Sequence, residues 1–303
     1  MTLDWIEKES RFLLEVELEP VQGTRFQPTG FPDLGAASYR GPDGSQVVLV
    51  ESAQSMANRL EMTIWNNAAE CLIAEAAGLP YIETSVEGLK TNSILESHRV
   101  NSGRFPESFR KDFGQRCGYS SKGPVNFPAF ARELFRIDPN SILHGCFLSQ
   151  LEDGRLRLPR LVSSFIEATG VEIAASGGVK LDHISPKGDS AKGTGHIPFA
   201  RTEYSAKSIK AFFNLDLQQL RSYALPAEAQ KLLVILALFK IRKLLDGGLH
   251  LRTACDLIPK DREFSSNRPV GWALPDEAHL ATELTQSITA CKAHFATPVV
   301  TTV

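Results

Sequence analysis

Residues 228–258, EAQKLLVILALFKIRKLLDGGLHLRTACDLI, decide the fold because a long apolar helix runs directly into a short alternating stretch. The leucines of the first part recur at helical spacing, and Gly247 and Gly248 supply the positive-φ cap that a helix end favours. Beyond the glycines, apolar residues alternate with polar ones, which predicts a single strand with His250 and Arg252 on one face. A sheet packed on helices would present these groups on its open face. Hydrogen-bond donors without a nearby nucleophile favour binding to phosphates or bases over covalent catalysis.

Patterns elsewhere indicate further strands and helices. Residues 10–19 alternate as a half-buried strand, residues 21–44 are a Gly- and Pro-rich loop, and residues 45–52 are a second strand. Residues 52–77 carry the apolar stripe of a helix, and residues 203–224 are also predicted to be helical. The order is compatible with an α+β sheet packed on helices, the layout of RNA-binding ferredoxin-like modules.

Length and composition predict one globular domain over residues 1–303 that carries insertions. The chain is 43% hydrophobic, enough to bury a substantial core. Its N-terminus lacks the pattern of a signal peptide, and its longest apolar run is too short for a bilayer span, so we expect a cytoplasmic protein without membrane contact. Five cysteines form no close pair, which favours reduced, mostly buried thiols.

The net charge of −2 conceals a basic segment. Residues 99–132 carry seven basic and two acidic side chains interleaved with aromatic residues. Single-stranded nucleic acid requires this combination for phosphate neutralisation and stacking. Alternatively, these aromatic residues form the small core of a loop-rich insertion, which we place at 81–132. Residues 176–195 are predicted to be a flexible basic loop, and residues 259–303 a C-terminal extension.

Chemical motifs are scarce. The sequence has no nucleophile elbow, no dinucleotide or phosphate loop and no metal-ligand spacing, so we predict neither a cofactor nor a metal. His98 and Arg99 could act as general base and phosphate clamp of a metal-free ribonuclease, or they could only bind. Near the start of the helix over 52–77, amide and guanidinium groups could attract an anion. Alternatively, they form a solvated face on which Arg59 pairs with Glu51 or Glu61.

Five separated segments carry a family resemblance. They are GTRFQPTGFPDLGAA at 23–37, ESAQSMANRLE at 51–61, NSILESHRVNS at 92–102, LPRLVSSFIEA at 158–168 and LLDGGLHLRTACDL at 244–257. Together they resemble the Cas-seven backbone subunits of type I-G (formerly I-U) CRISPR surveillance complexes. The match runs from about residue 10 to 258, and ANRLE and GGLHLRTACDL are its most specific stretches.

The resemblance implies a RAMP protein with a ferredoxin-like, RRM-related core and large insertions. Copies of such a subunit stack head to tail along the CRISPR RNA, and a thumb-like insertion kinks the RNA at intervals. The guide is then presented to the target DNA strand, in a Cascade complex with a large subunit and a guide-end-capping subunit. The favoured thumb candidate is 99–132, and the second is 176–195.

The resemblance and the residue chemistry together predict an RNA-binding set. It comprises Arg25, Gln27, Gln54, Ser55, Asn58, Arg59, His98, Arg99, Arg160, His250 and Arg252. The family more often carries Arg at the position of His250. The leading hypothesis is a non-catalytic scaffold. The alternatives are a metal-independent CRISPR-RNA-processing endoribonuclease with His98 as its base, and an unrelated metabolic enzyme, which would need a small-molecule pocket.

Overall fold

The computed structural model describes residues 3–31, 33–120, 122–149 and 156–303. The helices of this described part are α1 (Trp5–Lys8), α2 (Ala53–Met62), α3 (Glu107–Arg116), α4 (Phe127–Ile137), α5 (Pro139–His144), α6 (Leu217–Ser222), α7 (Ala227–Asp246) and α8 (Glu277–Ala290). Its strands are β1 (Arg11–Pro20), β2 (Gly30–Phe31), β3 (Gly35–Ala36), β4 (Ser38–Arg40), β5 (Gln46–Glu51), β6 (Trp65–Asn66), β7 (Cys71–Leu72), β8 (Tyr81–Val86), β9 (Leu89–Asn92), β10 (Cys146–Phe147), β11 (Arg157–Leu158), β12 (Val162–Thr169), β13 (Glu172–Lys180), β14 (Ile197–Ser205), β15 (Ser208–Asp216), β16 (Leu249–Arg252), β17 (Cys255–Pro259) and β18 (Val300–Thr302).

The described chain is an α+β fold around a seven-stranded sheet. Its strand order is β16-β17-β1-β15-β12-β5-β4, and every neighbouring pair is antiparallel. Helices α2 and α7 contact this sheet through β12 and β15. Alternation sets the buried face, since Phe12, Leu14 and Val16 of β1 are buried while the intervening residues are more exposed. This arrangement confirms the predicted α+β class.

The long helix and the first two long strands lie where the sequence predicts them. Helix α7 has a nearly continuous apolar surface, and most of its residues from Leu232 to Ile241 are buried. It ends at Asp246, and Gly248 adopts a φ of 76° on the way into β16. A residue with a Cβ would be strained there, which explains the glycine.

The helix predicted over 52–77 is wrong beyond Met62. Helix α2 ends there, and β6 and β7 form a small hairpin instead. In its turn the Asn66 carboxamide accepts hydrogen bonds from the backbone N–H groups of Ala68 (3.0 Å) and Ala69 (3.2 Å). This side-chain turn competes with helix continuation.

The helix predicted over 203–224 is also largely wrong. Most of this segment is the end of β14 and all of β15, and only α6 is helical. The alternating apolar residues Ile209, Ala211 and Phe213 of β15 are buried. Asp216 then caps α6 by accepting a hydrogen bond from the Gln219 N–H at 2.8 Å.

The single strand predicted after α7 is a hairpin. Strands β16 and β17 pair antiparallel, with His250 opposite Asp256, so the chain reverses at Thr253 and Ala254. His250 and Asp256 therefore face each other across the ladder, with Nδ1 and Oδ2 3.2 Å apart. The alternation of apolar residues continues through both strands, so the sequence pattern does not reveal the turn between them.

The insertions differ from their predicted character. Residues 99–132 contain α3 and the start of α4, and the buried Phe105, Phe109, Phe113 and Phe130 form a small aromatic core. The small aromatic core agrees with the alternative interpretation, but the segment contains helices where that interpretation expected a loop-rich insertion. Of residues 176–195, only 176–180 belong to β13, which pairs with β14 over its full length, and most of the remainder is the loop that connects the two strands. The tail after residue 259 contains α8, which packs on α7, and β18, which pairs with β8.

Two further properties bear on the predicted environment. No helix of the described chain combines the length and apolar character that a bilayer span requires. Four of the five cysteines are buried, and Cys71 is exposed.

Candidate nucleic-acid interface

The clearest candidate site is a cavity of about 640 Å³ at the start of α2, which we call the basic cavity. None of the described residues that line it is acidic, and its polar lining consists of Gln54, Asn58, Ser97, His98, Arg99, Asn101, His144, Arg157 and Arg160. Amide and guanidinium donors without carboxylates suit a polyanion. Five of the eleven predicted RNA-binding residues are brought together here.

Helix α2 presents two amides to the basic cavity. Met56, Ala57 and Leu60 are buried, so the opposite face of the helix carries the exposed Gln54 and Asn58 at i, i+4 spacing. Exposed amides can donate to phosphate oxygens and accept from sugar hydroxyls, independently of base sequence.

An aromatic ring and a guanidinium form one wall of the basic cavity. Phe147 and Arg157 are opposite each other in the β10–β11 pair, and the guanidinium carbon lies 4.9 Å from the ring centroid. The Phe147 side chain is 45% exposed. An exposed ring beside a cation offers a nucleobase a stacking surface and its phosphate a partner.

Two arginines of the basic cavity also have internal partners. The buried Arg99 guanidinium donates to both carboxylate oxygens of Glu61, at 2.6 and 2.7 Å. Arg160 donates to the Ala53 carbonyl oxygen at 3.0 Å, and burial, aided by the charge of Arg99, lowers the pKa of Arg160. His98 is exposed and stays available to a ligand.

Another predicted group converges on one buried carboxylate. Glu51 is 2% exposed, and it accepts hydrogen bonds from Ser55, from Arg59 (3.2 Å) and from Arg252. Arg59 also donates to the Leu251 carbonyl at 2.7 Å, so β5, α2 and β16 are tied together. The structure therefore gives these three predicted RNA contacts a structural role, and their contact with RNA stays a prediction.

Arg252 also borders a second cavity, of about 810 Å³. Its other polar side chains include Gln27 and Arg201, and the Arg201 guanidinium lies 5.5 Å from the ring centroid of Phe199. This cavity adjoins the start of α2 because Arg252 contacts Glu51. It repeats the pairing of an arginine with an exposed phenylalanine.

Arg25 and His250 line a third cavity, of about 540 Å³, which has a mixed charge. Each of them faces a carboxylate, with Arg25 3.4 Å from Glu203 and His250 3.2 Å from Asp256. The predicted RNA-binding set is thus divided among three cavities and the Glu51 cluster.

Replacing Arg252 with alanine is expected to lower the free energy of unfolding by about 1–3 kcal/mol, because buried Glu51 loses a charged partner. The carbonyl oxygens of Gln27 (2.8 Å) and Val50 (3.2 Å) lose a donor as well. Urea unfolding would measure the change. Arg25→Ala is the matched control, since its more exposed ion pair should contribute less than about 1 kcal/mol. Equal stability of the two variants would contradict the structural role of Arg252.

Sequence reasoning missed several side chains of these cavities. The motif LPRLVSSFIEA points to Arg160 but not to Arg157, and no motif indicates Phe147 or Phe199. Cross-strand pairing brings Phe147 to Arg157, which is not readable from local sequence, whereas Phe199 and Arg201 are two residues apart in β14. The alternation of arginine and leucine around Arg157 is the only local signal.

Among the described residues, no group of three or more His, Cys, Asp or Glu side chains is placed to hold a metal ion. The structure is thus an α+β chain whose cavities carry basic side chains beside exposed aromatic rings.

The chain belongs to the family described as CRISPR-associated protein GSU0053, whose family profile matches residues 12–173. It is similar to a chain of a structure described as "CRISPR RNA-guided surveillance complex, pre-nicking", at 12% identity and a TM-score of 0.47, with 93% of this chain and 88% of that chain covered. It is also similar to Thermofilum pendens Csc2, at 8% identity and a TM-score of 0.35, with 93% and 77% covered. The chain matches no curated protein.

Proposed function

We propose that this chain is a non-catalytic backbone subunit of a type I-G Cascade complex. Copies bind head to tail along the CRISPR RNA and present the guide to a target DNA strand, together with a large subunit and a guide-end-capping subunit. Membership of a CRISPR-associated family supports this role. The observation that carries the RNA-binding part is the basic cavity, in which amides, guanidiniums and an exposed ring converge.

We further propose that the core is ferredoxin-like and RRM-related. In support, β1, α2, β12, β15, α7 and the β16–β17 hairpin follow the β-α-β-β-α-β succession of that fold. Their order in the sheet is β17-β1-β15-β12, with β5 and β4 added at one edge.

We assign the thumb to the ribbon formed by β13 and β14 rather than to 99–132. The aromatic side chains of 99–132 are largely committed to their own core. In contrast, the ribbon and its connecting loop leave Ile173, Val179, Leu181 and Ile184 between 53% and 95% exposed. Apolar side chains that stay mostly exposed in their own chain suit an insertion that packs on RNA or a neighbouring copy.

A native gel of the purified chain with single-stranded RNAs of increasing length tests the proposal. We expect discrete bands whose number grows with RNA length, because head-to-tail contacts do not close. Binding should weaken with salt, and the recovered RNA should be intact on a denaturing gel. Shortened RNA without added metal, abolished by His98→Ala, would instead establish the endoribonuclease alternative. No shift at any length would overturn RNA binding.

In the same assay, Phe147→Ala is expected to reduce RNA affinity by about five- to 150-fold, because a base loses a stacking partner worth about 1–3 kcal/mol. Phe127→Ala is a matched control, since Phe127 is 43% exposed and lies outside the basic cavity. Arg157→Ala should flatten the salt dependence as well, whereas Phe147→Ala should not. Equal losses for Phe147→Ala and Phe127→Ala would remove the basic cavity from the RNA path.

A further inference from the structure

A separate cavity of about 400 Å³, which we call the Arg132 cavity, lies among α3, α4 and the start of α7. Arg116, Arg132 and Arg136 line it, and Glu133 is its lining carboxylate. At the rim, Glu228 carries a second carboxylate, which lies 2.7 Å from His294 Nε2. The three guanidiniums thus outnumber the acidic groups.

Glu133 positions two of the arginines without neutralising both. Arg116 Nε lies 2.6 Å from Glu133 Oε1, and Arg136 donates through two nitrogens at 2.8 Å. The shared carboxylate raises the pKa of Arg136 and fixes both guanidinium planes. Arg132 is exposed, and no ion pair engages it within the described chain. One full positive charge therefore remains without a partner beside two oriented guanidiniums.

The floor of the Arg132 cavity is apolar. Phe135, Leu225 and Pro226 contribute to it, and Phe135 packs on Phe295 with ring centroids 5.7 Å apart. On α4, Arg132 and Arg136 are one turn apart, about 6 Å along the helix axis. This separation is comparable with that of neighbouring phosphates in a nucleic-acid strand. Cations at the rim and an apolar floor suit phosphates with their sugars and bases.

The Arg132 cavity shares no lining residue with the basic cavity. The residues just before α7 line the Arg132 cavity, whereas Lys240 of α7 contacts His144 of the basic cavity at 3.1 Å. Ala227 and Lys240 are thirteen residues apart along the helix, which corresponds to about 20 Å. At physiological salt the screening length is about 8 Å, so the two cavities act as independent anion sites.

We propose that the Arg132 cavity binds the phosphates of a second nucleic-acid strand, separate from the strand held in the basic cavity. This inference rests on the proposed function, in which more than one strand is present on the assembled subunit. The DNA strand that is displaced from the target duplex when the guide pairs with the target strand would provide these phosphates.

The test uses the full chain assembled with guide RNA and a fluorescent oligodeoxythymidine that cannot pair with the guide. Fluorescence anisotropy measures its affinity at several salt concentrations. Arg132→Gln is expected to weaken it several-fold and to lower the slope of log affinity against log salt by about 0.7, the contribution of one phosphate contact on a single strand. Arg116→Gln combined with Arg132→Gln should lose more.

Arg104→Gln is the matched control, because Arg104 is exposed, pairs with Glu96 and lines neither cavity. It should leave the affinity for oligodeoxythymidine unchanged. Wild-type affinity and slope in both Arg132 variants would overturn the inference. A loss of guide RNA affinity in Arg132→Gln would also overturn it, because the cavity would then hold the guide strand itself. Failure of the wild-type chain to bind guide RNA would instead overturn the proposed function.

Discussion

Replacing Arg99 with alanine is expected to lower the free energy of unfolding by about 3–5 kcal/mol, the usual cost of removing one partner from a buried ion pair. Arg99 and Glu61 are 7% and 1% exposed, so neither charge can be rehydrated in the folded chain. Once Arg99 is removed, Glu61 retains the Asn140 amide at 3.0 Å as its hydrogen-bond donor. Thermal and urea unfolding would measure the loss.

Two further variants separate the ion pair from other effects. Arg99→Gly should be less destabilising than Arg99→Ala by about 1 kcal/mol, because Arg99 has a φ of 53°, which glycine adopts without strain. Adding Glu61→Gln to Arg99→Ala should recover part of the stability, since the unpaired charge is removed. A stable Arg99→Ala variant that no longer binds RNA would contradict this structural role and support the contact predicted from sequence.

The core elements could be predicted where the hydrophobic periodicity of a segment and the length of that segment indicate the same kind of element. Helix α7 and strand β1 each carry a long, unbroken pattern, and the structure confirms both. Errors occur where a polar side chain reverses the chain within an apolar pattern, as Asn66 does after α2. The hairpin after α7 is a second case, because its alternation continues across the turn at Thr253. A turn that leaves the alternation of apolar residues unbroken cannot be detected from the local hydrophobic periodicity.

The site is harder to predict because arginines that bind phosphates and arginines that pair with buried carboxylates look alike in sequence. Arg99 and Arg252 sit in the most recognisable motifs, yet each contacts an acid distant in the chain, Glu61 or Glu51. Conversely, Phe147 and Arg157 are brought together by β10 and β11, which are separated along the chain. The sequence indicates which side chains are able to bind phosphate. The partner that each of them contacts depends on tertiary structure.

Between pH 7 and about pH 8 the free energy of unfolding is expected to rise by roughly 0.5 kcal/mol, because the unfolded chain then binds about half a proton more than the folded chain. Lys240 is 1% exposed, and it contacts Asn140 Oδ1 and His144 Nε2. Burial lowers the pKa of Lys240 to about 7. The negative charge of Glu61 raises the pKa of Lys240, whereas the positive charge of Arg99 lowers it further.

The free energy of unfolding rises with pH because the unfolded chain binds more protons than the folded chain. Over this range an unfolded lysine, with a pKa near 10.4, holds its proton, whereas the folded Lys240 loses it. The unfolded chain binds more protons, so stability rises with pH. Burial also lowers the pKa of His144. Below about pH 6.5 the unfolded histidine binds a proton and the folded one does not, so stability continues to fall as the pH decreases.

Above about pH 8 the trend should reverse, because buried thiols change the stability in the opposite direction. Burial raises the pKa of Cys117 and Cys291 to about 12 and that of Cys255 to about 11. Unfolded thiols ionise near pH 8.5, while these stay protonated in the folded chain. The folded chain then binds more protons, so stability falls as pH rises. We expect a maximum near pH 8, where the protons lost by the unfolded thiols balance the proton lost by the folded Lys240.

Lys240→Met isolates the lysine contribution. Removing the amine leaves Asn140 without its donor and shifts the overall stability, so the informative quantity is the slope between pH 7 and pH 8. That rise should disappear in the variant, while the decline above pH 8 should remain because the thiols are unchanged. Urea unfolding at closely spaced pH values would record both. A flat wild-type profile over the same range would mean that Lys240 stays charged when folded, with Glu61 outweighing its burial.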